Sequence, residues 1–195
     1  MVEGTKQVKL QEDLFDLVSD DEIGEIYLRH DKSTGLKAIV AINSYKLGPT
    51  LGGCRCVPYA STFDAIQDAL LLARAMTLKS AIAGVPFGGG KAVLIRNEEI
   101  KDRKAYFTAY GKFINDLQGK YITAVDSGTN LDDMDIVAKQ TKFVSSTSAM
   151  DSSPAPYTSL GVYHGIRAAV KHKYNKDSLE GLHISVQGVG VNDGD

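Results

Sequence analysis

The sequence has no excess of charge of either sign, few cysteines, no long apolar run and no internal repeat, and each lack removes a class of function. Lysine and arginine total 22 against 24 aspartates and glutamates, a net charge of −2. That balance leaves no basic footprint for nucleic acid, no polybasic patch for a membrane surface and no acidic tail. Apolar stretches such as Ala38 to Ile42 are far shorter than the roughly 20 residues that cross a bilayer. The start, Met1-Val2-Glu3-Gly4, is polar and lacks the apolar core of a signal peptide, so the cytoplasm is the expected location. The only cysteines are Cys54 and Cys56. Two residues apart on one strand face, they make a poor disulfide and too few zinc ligands, and free thiols in a reducing compartment are expected. The four histidines His30, His164, His172 and His183 show no metal-ligand spacing, so no metal is expected.

What is present suits a globular domain. Hydrophobic residues make up 43%, enough for a core without disulfide staples. Residues 23–30 and 36–43 read as strands joined by the turn Asp31-Lys32-Ser33-Thr34-Gly35. In the second strand Leu36, Ala38, Val40 and Ile42 share a face. Ser61 or Thr62 can cap a helix whose apolar positions are Ile66, Ala69, Leu70, Leu72, Ala73 and Met76, and Gly84 ends it. Val85 to Lys91 reads as a glycine-rich loop before a short strand, Ala92 to Ile95. Tyr106, Phe107, Tyr110, Phe113, Ile114 and Leu117 line one face of a helix over 103–118. A strand over 121–125, a helix near 131–140 and a strand near 142–145 follow. Pro154 and Pro156 precede a helix at about 158–174, and 182–187 reads as a last strand. Helices and strands alternating in this way argue for the α/β class.

Three residues could carry chemistry. Lys79 falls beside Leu72 and Met76, near the apolar stripe. It either meets an anionic partner there or snorkels out at the helix end, where a cation is favoured. Lys91 closes Gly88-Gly89-Gly90-Lys91. The phosphate-loop pattern Gly-x-x-x-x-Gly-Lys-Ser/Thr fails, because Val85 and Ala92 occupy its first glycine and its hydroxyl position. A lysine opening a buried strand can take part in proton chemistry, or it is a surface lysine after a turn. Asp126 follows a strand, where α/β folds place their sites, or it caps a turn.

Taken in order, Leu51-Gly52-Gly53-Cys54-Arg55, Ala75-Met76-Thr77-Leu78-Lys79-Ser80-Ala81, Pro86-Phe87-Gly88-Gly89-Gly90-Lys91-Ala92 and Thr123-Ala124-Val125-Asp126-Ser127-Gly128-Thr129 resemble the glutamate/leucine/phenylalanine/valine dehydrogenase family. The wording is nearest its leucine branch, and the resemblance runs from about residue 20 to 190. It implies a three-layer α/β domain with a mixed central sheet. It also implies oxidative deamination of a nonpolar L-amino acid, branched-chain first, to its 2-oxo acid and ammonia with NAD. By the resemblance, Lys79 pairs with the substrate carboxylate, Lys91 is the catalytic lysine and Asp126 the acid/base. Gly52, Gly53 and Met76 line the substrate pocket, and Thr158 lies near it. Residues 1–175 would be the substrate-binding, catalytic and dimerisation domain of a homo-oligomer.

The resemblance also sets an expectation for the end of the chain. Gly188 and Gly190 begin the dinucleotide motif Gly-x-Gly-x-x-Gly, but Asp193 stands where its third glycine belongs and the sequence given stops at Asp195. Residues 176–195 would then be the first strand and incomplete glycine motif of an NAD-binding domain. This polypeptide alone is expected to show no turnover. The alternative is a non-catalytic module that binds amino acids or serves assembly.

Overall fold

A computed structural model describes residues 24–96, 98–150 and 155–187. Five strands form one mixed sheet in the order β1-β2-β4-β3-β5. They are β1 (Glu25–Asp31), β2 (Leu36–Ser44), β3 (Thr50–Val57), β4 (Gly88–Ile95) and β5 (Tyr121–Val125). β1 and β2 are an antiparallel hairpin, and β2 pairs antiparallel with β4. β3 lies between β4 and β5 and runs parallel to both. The helices are α1 (Thr62–Ala83), α2 (Arg103–Asp116), α3 (Leu131–Ala138) and α4 (Ala155–Tyr174).

The connections explain the layers. From β3 the chain crosses through α1 to β4 on one side. From β4 it crosses through α2 to β5 on the other. Parallel crossovers are right-handed, so two that run in opposite directions put their helices on opposite faces. One face packs Ile39, Ala41, Val93 and Ile95 against Ala65, Ile66, Ala69 and Ala73 of α1. The other packs Leu36, Ala38, Val40 and Ile42 against Phe107, Tyr110 and Ile114 of α2 and Met134 and Val137 of α3. The result is the expected three-layer α/β domain, and β2 is buried on both faces.

Local chemistry sets the helix ends. The Ser61 hydroxyl accepts from Asp64 N at 3.1 Å and starts α1. Gly84, at φ 67, stops it in the left-handed conformation a glycine adopts without strain. Cys54 and Cys56 are free and buried side by side on the α2 face. Burial pushes Cys54 far up and Cys56 to about 11, so neither is a ready thiolate.

Several elements differ from the sequence reading. The glycine run is strand, not loop: Gly88, Gly89 and Gly90 belong to β4. A Cβ on Gly89 would stand 2.3 Å from Thr77 N and 2.4 Å from Ala73 O. The glycine thus lets the backbone of α1 lie directly on the strand. Gly52 and Gly53 likewise lie within β3. Residues 142–145 contribute only an isolated bridge, Thr123 to Val144. α4 begins at Ala155, with Pro156 in its first turn, where a missing N–H costs nothing. Residues 182–187 form no strand among the described residues. Their apolar side chains find no sheet to join, and Ile184 and Val186 are exposed.

Candidate active site

β3 alternates. Thr50, Gly52, Cys54 and Cys56 are buried toward α2, while Leu51, Gly53, Arg55 and Val57 are partly exposed on the α1 face. α1 covers β2 and β4 but leaves this part of the sheet largely open. In β4, Lys91 shares the α1 face with Gly89, Val93 and Ile95, by the two-residue period of a strand. The β3 register pairs Cys54 with Ala92 on one side and with Val125 on the other. One step back, Lys91, Gly53 and Ala124 form a row. One step on, Arg55 stands beside Asp126.

The Lys91 ammonium reaches across Gly53 and forms an ion pair with Asp126 Oδ2. Lys91 and Asp126 side chains are 8% and 21% exposed, so this is a largely dehydrated pair with one open side. Gly53 makes it possible: a Cβ there would lie 2.7 Å from Asp126 Cβ and 3.1 Å from its Oδ2.

The turn after β5 fixes the carboxylate. Asp126 Oδ1 accepts from Ser127 N at 2.7 Å. Asp126 N donates to the Thr129 hydroxyl at 2.9 Å, and that hydroxyl lies 2.8 Å from Asp126 O and 3.1 Å from Cys54 O. Gly128, at φ 79, packs so tightly that a Cβ would meet Cys56 O at 1.9 Å. Arg103 Nη2 donates to Gly128 O at 3.1 Å while the same guanidinium grips Asp133 at 2.7 and 2.6 Å. Burial pushes the Asp126 carboxyl up. The Lys91 ammonium, the Ser127 N–H and the Arg55 guanidinium overrule burial and hold it below the usual carboxylate range.

Of the residues expected at the site, Lys91, Asp126 and Gly53 come together. Gly52 alternates away and is buried. Its role is close approach, since a Cβ would sit 1.9 Å from Gly90 O. The Tyr121 hydroxyl also donates to Gly52 O at 2.6 Å. Lys79 and Met76 lie on the flank of α1 that faces β3. That flank is identified by Asp68, which bonds Arg55 of β3, with Leu72, Met76 and Lys79 following at helical spacing. Lys79 is exposed there and makes no ion pair among the described residues. Thr158 lies exposed on α4. Gly188 and Gly190 lie outside the described residues.

Sequence reasoning missed Arg55, Asp68, Tyr59 and Thr129. Strand alternation could have found Arg55, two positions after Gly53 on one face. Two hollows of about 590 and 430 Å³ lie elsewhere, near Arg96 and near Lys112. Neither touches the ion pair, which faces an open ledge. Among the described residues no cluster of three metal-ligating side chains occurs, and no helix is long and apolar enough to cross a membrane.

This fold is that of the amino-acid dehydrogenases. A crystal structure of L-tryptophan dehydrogenase from Nostoc punctiforme superposes with a TM-score of 0.69 at 40% identity, over 91% of this chain and 50% of that one. A Leu-bound hetero-hexameric glutamate dehydrogenase from Thermus thermophilus matches in fold at TM-score 0.67 and 20% identity, over 88% of this chain and 44% of that one. Residues 23–143 match the family model described as the Glu/Leu/Phe/Val dehydrogenase dimerisation domain, and the chain belongs to that family. Leucine dehydrogenase of Thermoactinomyces intermedius is 47% identical over 180 residues, 91% of this chain and 49% of the relative. Valine dehydrogenase of Streptomyces coelicolor is 44% identical over 171 residues, 85% of this chain and 46% of the relative. The chain therefore spans about half the length of the curated relatives it matches.

Proposed function

We propose that this chain carries the amino-acid-binding and proton-transfer site of an enzyme that oxidatively deaminates a nonpolar L-amino acid, leucine or another branched-chain one. The products are the 2-oxo acid, ammonia and NADH, with water consumed and NAD as hydride acceptor. The observation that carries the reading is the dehydrated Lys91–Asp126 pair on an open face of this family's fold.

The residues suit the work. Lys79, exposed on the α1 flank, is free to meet the substrate carboxylate and hold the molecule by its constant end. Asp126, kept ionised, can take a proton from the substrate ammonium and return it to the departing ammonia. Lys91 sits beside it and can stabilise negative charge growing on the oxygen that water brings to the substrate's α-carbon. For this the pair has to open and admit substrate between its members. NAD supplies the hydride acceptor. Leu51 and Met76 give the ledge apolar side chains, which fits leucine better than glutamate. We further propose that the protein works as a homo-oligomer through this domain.

The test is a substrate panel on the complete gene product with NAD. L-leucine is expected to exceed L-glutamate in kcat/KM by at least about a hundredfold, because an apolar pocket leaves the second carboxylate unpaired. Lys79→Ala is expected to raise KM roughly 10–100-fold, the worth of a lost charged hydrogen bond. Turnover that prefers glutamate would overturn the substrate assignment. Amino-acid binding by calorimetry without any turnover would favour a non-catalytic module.

A further inference from the structure

The ion pair poses a problem that the site has to solve. While Lys91 holds Asp126, the buried carboxylate is compensated. Once Lys91 turns to the substrate, Asp126 is left at the sheet surface with desolvation favouring its protonated form. A protonated Asp126 could not accept the substrate's proton. Between the withdrawal of Lys91 and the arrival of the substrate ammonium, something else has to keep it charged.

We infer that Arg55 is the positioning residue that does so: its guanidinium, held in place by Asp68 and Tyr59, is the second cation of Asp126. The Cys54–Val125 pair puts Arg55 next to Asp126 in the sheet row, and both point to the α1 face. Neighbouring strands lie about 4.8 Å apart, so side chains in one row on one face are close. Arg55 Nη1 donates to both carboxylate oxygens of Asp68, at 3.2 and 2.9 Å. The Tyr59 hydroxyl donates to Asp68 Oδ2 at 2.5 Å and keeps that carboxylate from turning away. Arg55 Nε is buried without a hydrogen-bond partner among the described residues. Such an orphaned donor is costly in a structure that needs no cation there. It is a donor in reserve for a carboxylate that moves.

The other groups around Asp126 do not replace Arg55. Lys91 comes from β4 and is the group that leaves. Cys54 and Tyr121 are neutral, buried on the opposite face of the sheet. The Ser127 N–H is fixed in the turn, Asp68 of α1 lies beyond the guanidinium and repels, and Lys79 stands exposed at the far end of the α1 flank. Arg55 also acts on Asp126 through space, adding to what Lys91 does.

The inference rests on the deamination reading only in calling Asp126 the proton acceptor, and its test needs no turnover. The complete protein is labelled at aspartate Cγ, and the Asp126 carbon resonance, assigned by loss in Asp126→Asn, is followed against pH. Lys91→Met serves as the background, since it mimics withdrawal of the ammonium. Adding Arg55→Met is expected to move the Asp126 midpoint up by about one pH unit, the low end for a guanidinium beside a carboxylate. Adding Arg55→Lys instead is expected to leave it nearly in place. If Arg55→Met does not fold, Arg55→Gln removes the charge more gently and is read the same way. An unchanged midpoint on loss of the charge, or an equal rise with lysine, would overturn the inference. A protein that deaminates nothing could still show the shift, so the two readings fail separately.

Discussion

Lys91→Met is expected to cost about 3 kcal/mol of stability near pH 7, because it strands a largely buried carboxylate. In a protein of this size that lowers the melting temperature by roughly 6–12 °C. The sign with pH separates this from loss of packing. In the wild type the Asp126 carboxyl is held below its usual range. Its stabilising contribution is therefore complete above the unfolded-state value, about 3.9. It is lost as pH falls through the lower folded-state value. In Lys91→Met burial acts without the ammonium, and the carboxyl takes up a proton at higher pH. The difference between the two proteins should then be largest at neutral pH and shrink as acid is added. Pairing Lys91→Met with Asp126→Asn should recover much of the loss, since no charge is then left alone. Chemical denaturation at several pH values checks this. A cost that does not change with pH would mean that the pair contributes packing and little else.

Gly52→Ala and Gly53→Ala should behave very differently, although the residues are adjacent. At Gly52 the new methyl would meet Gly90 O at 1.9 Å and Gly90 C at 2.8 Å. Both are backbone atoms of the neighbouring strand, fixed by the ladder that pairs Gly90 with Ile42 of β2. Relief requires separating β3 from β4 in the middle of the sheet. The expected cost is above about 3 kcal/mol, at the severe end for one substitution. At Gly53 the nearest atoms belong to the Asp126 side chain, at 2.7 to 3.1 Å. A side chain can rotate, so Gly53→Ala should fold at a cost nearer 1–2 kcal/mol. It would do so by pushing Asp126 off Lys91, and most activity should go with the pair. Expression, circular dichroism and turnover of the two variants decide this. Equal stability in both would contradict the packing described.

Much of this was legible in the residues because the signals were local. Ser61 and Gly84 mark α1 through hydrogen bonds within a few residues of each. The aromatic spacing from Tyr106 to Leu117 marks α2. Lys91 and Asp126 each read ambiguously alone, and the order of four motifs resolved them. The failures have a common physical cause. Glycine reads as loop, yet at positions 88–90 it serves tertiary contact: α1 lies on Gly89, and Thr50 and Tyr121 crowd Gly90. No local pattern reports such a contact. The stretch 182–187 has strand composition, but a strand is completed by a partner, which composition cannot supply. Thr158 was carried over by resemblance alone, and it stands exposed on α4. Arg55 was passed over because its importance lies in what stands beside it, Asp126 in the next strand and Asp68 on the helix above.

The most direct measurement is the fate of nitrogen in the complete gene product. L-leucine labelled with 15N at its amine is supplied with NAD, and labelled ammonia, 2-oxo acid and NADH are counted together. The account predicts equal amounts of all three from the wild type. It predicts a loss of about a hundred- to a thousandfold in kcat for Lys91→Met, at the level that removing a charge-stabilising group costs an enzyme. A wild type that releases no labelled ammonia, or a Lys91→Met protein that releases it as fast, would contradict the assignment of the Lys91–Asp126 pair as the centre of amino-acid deamination.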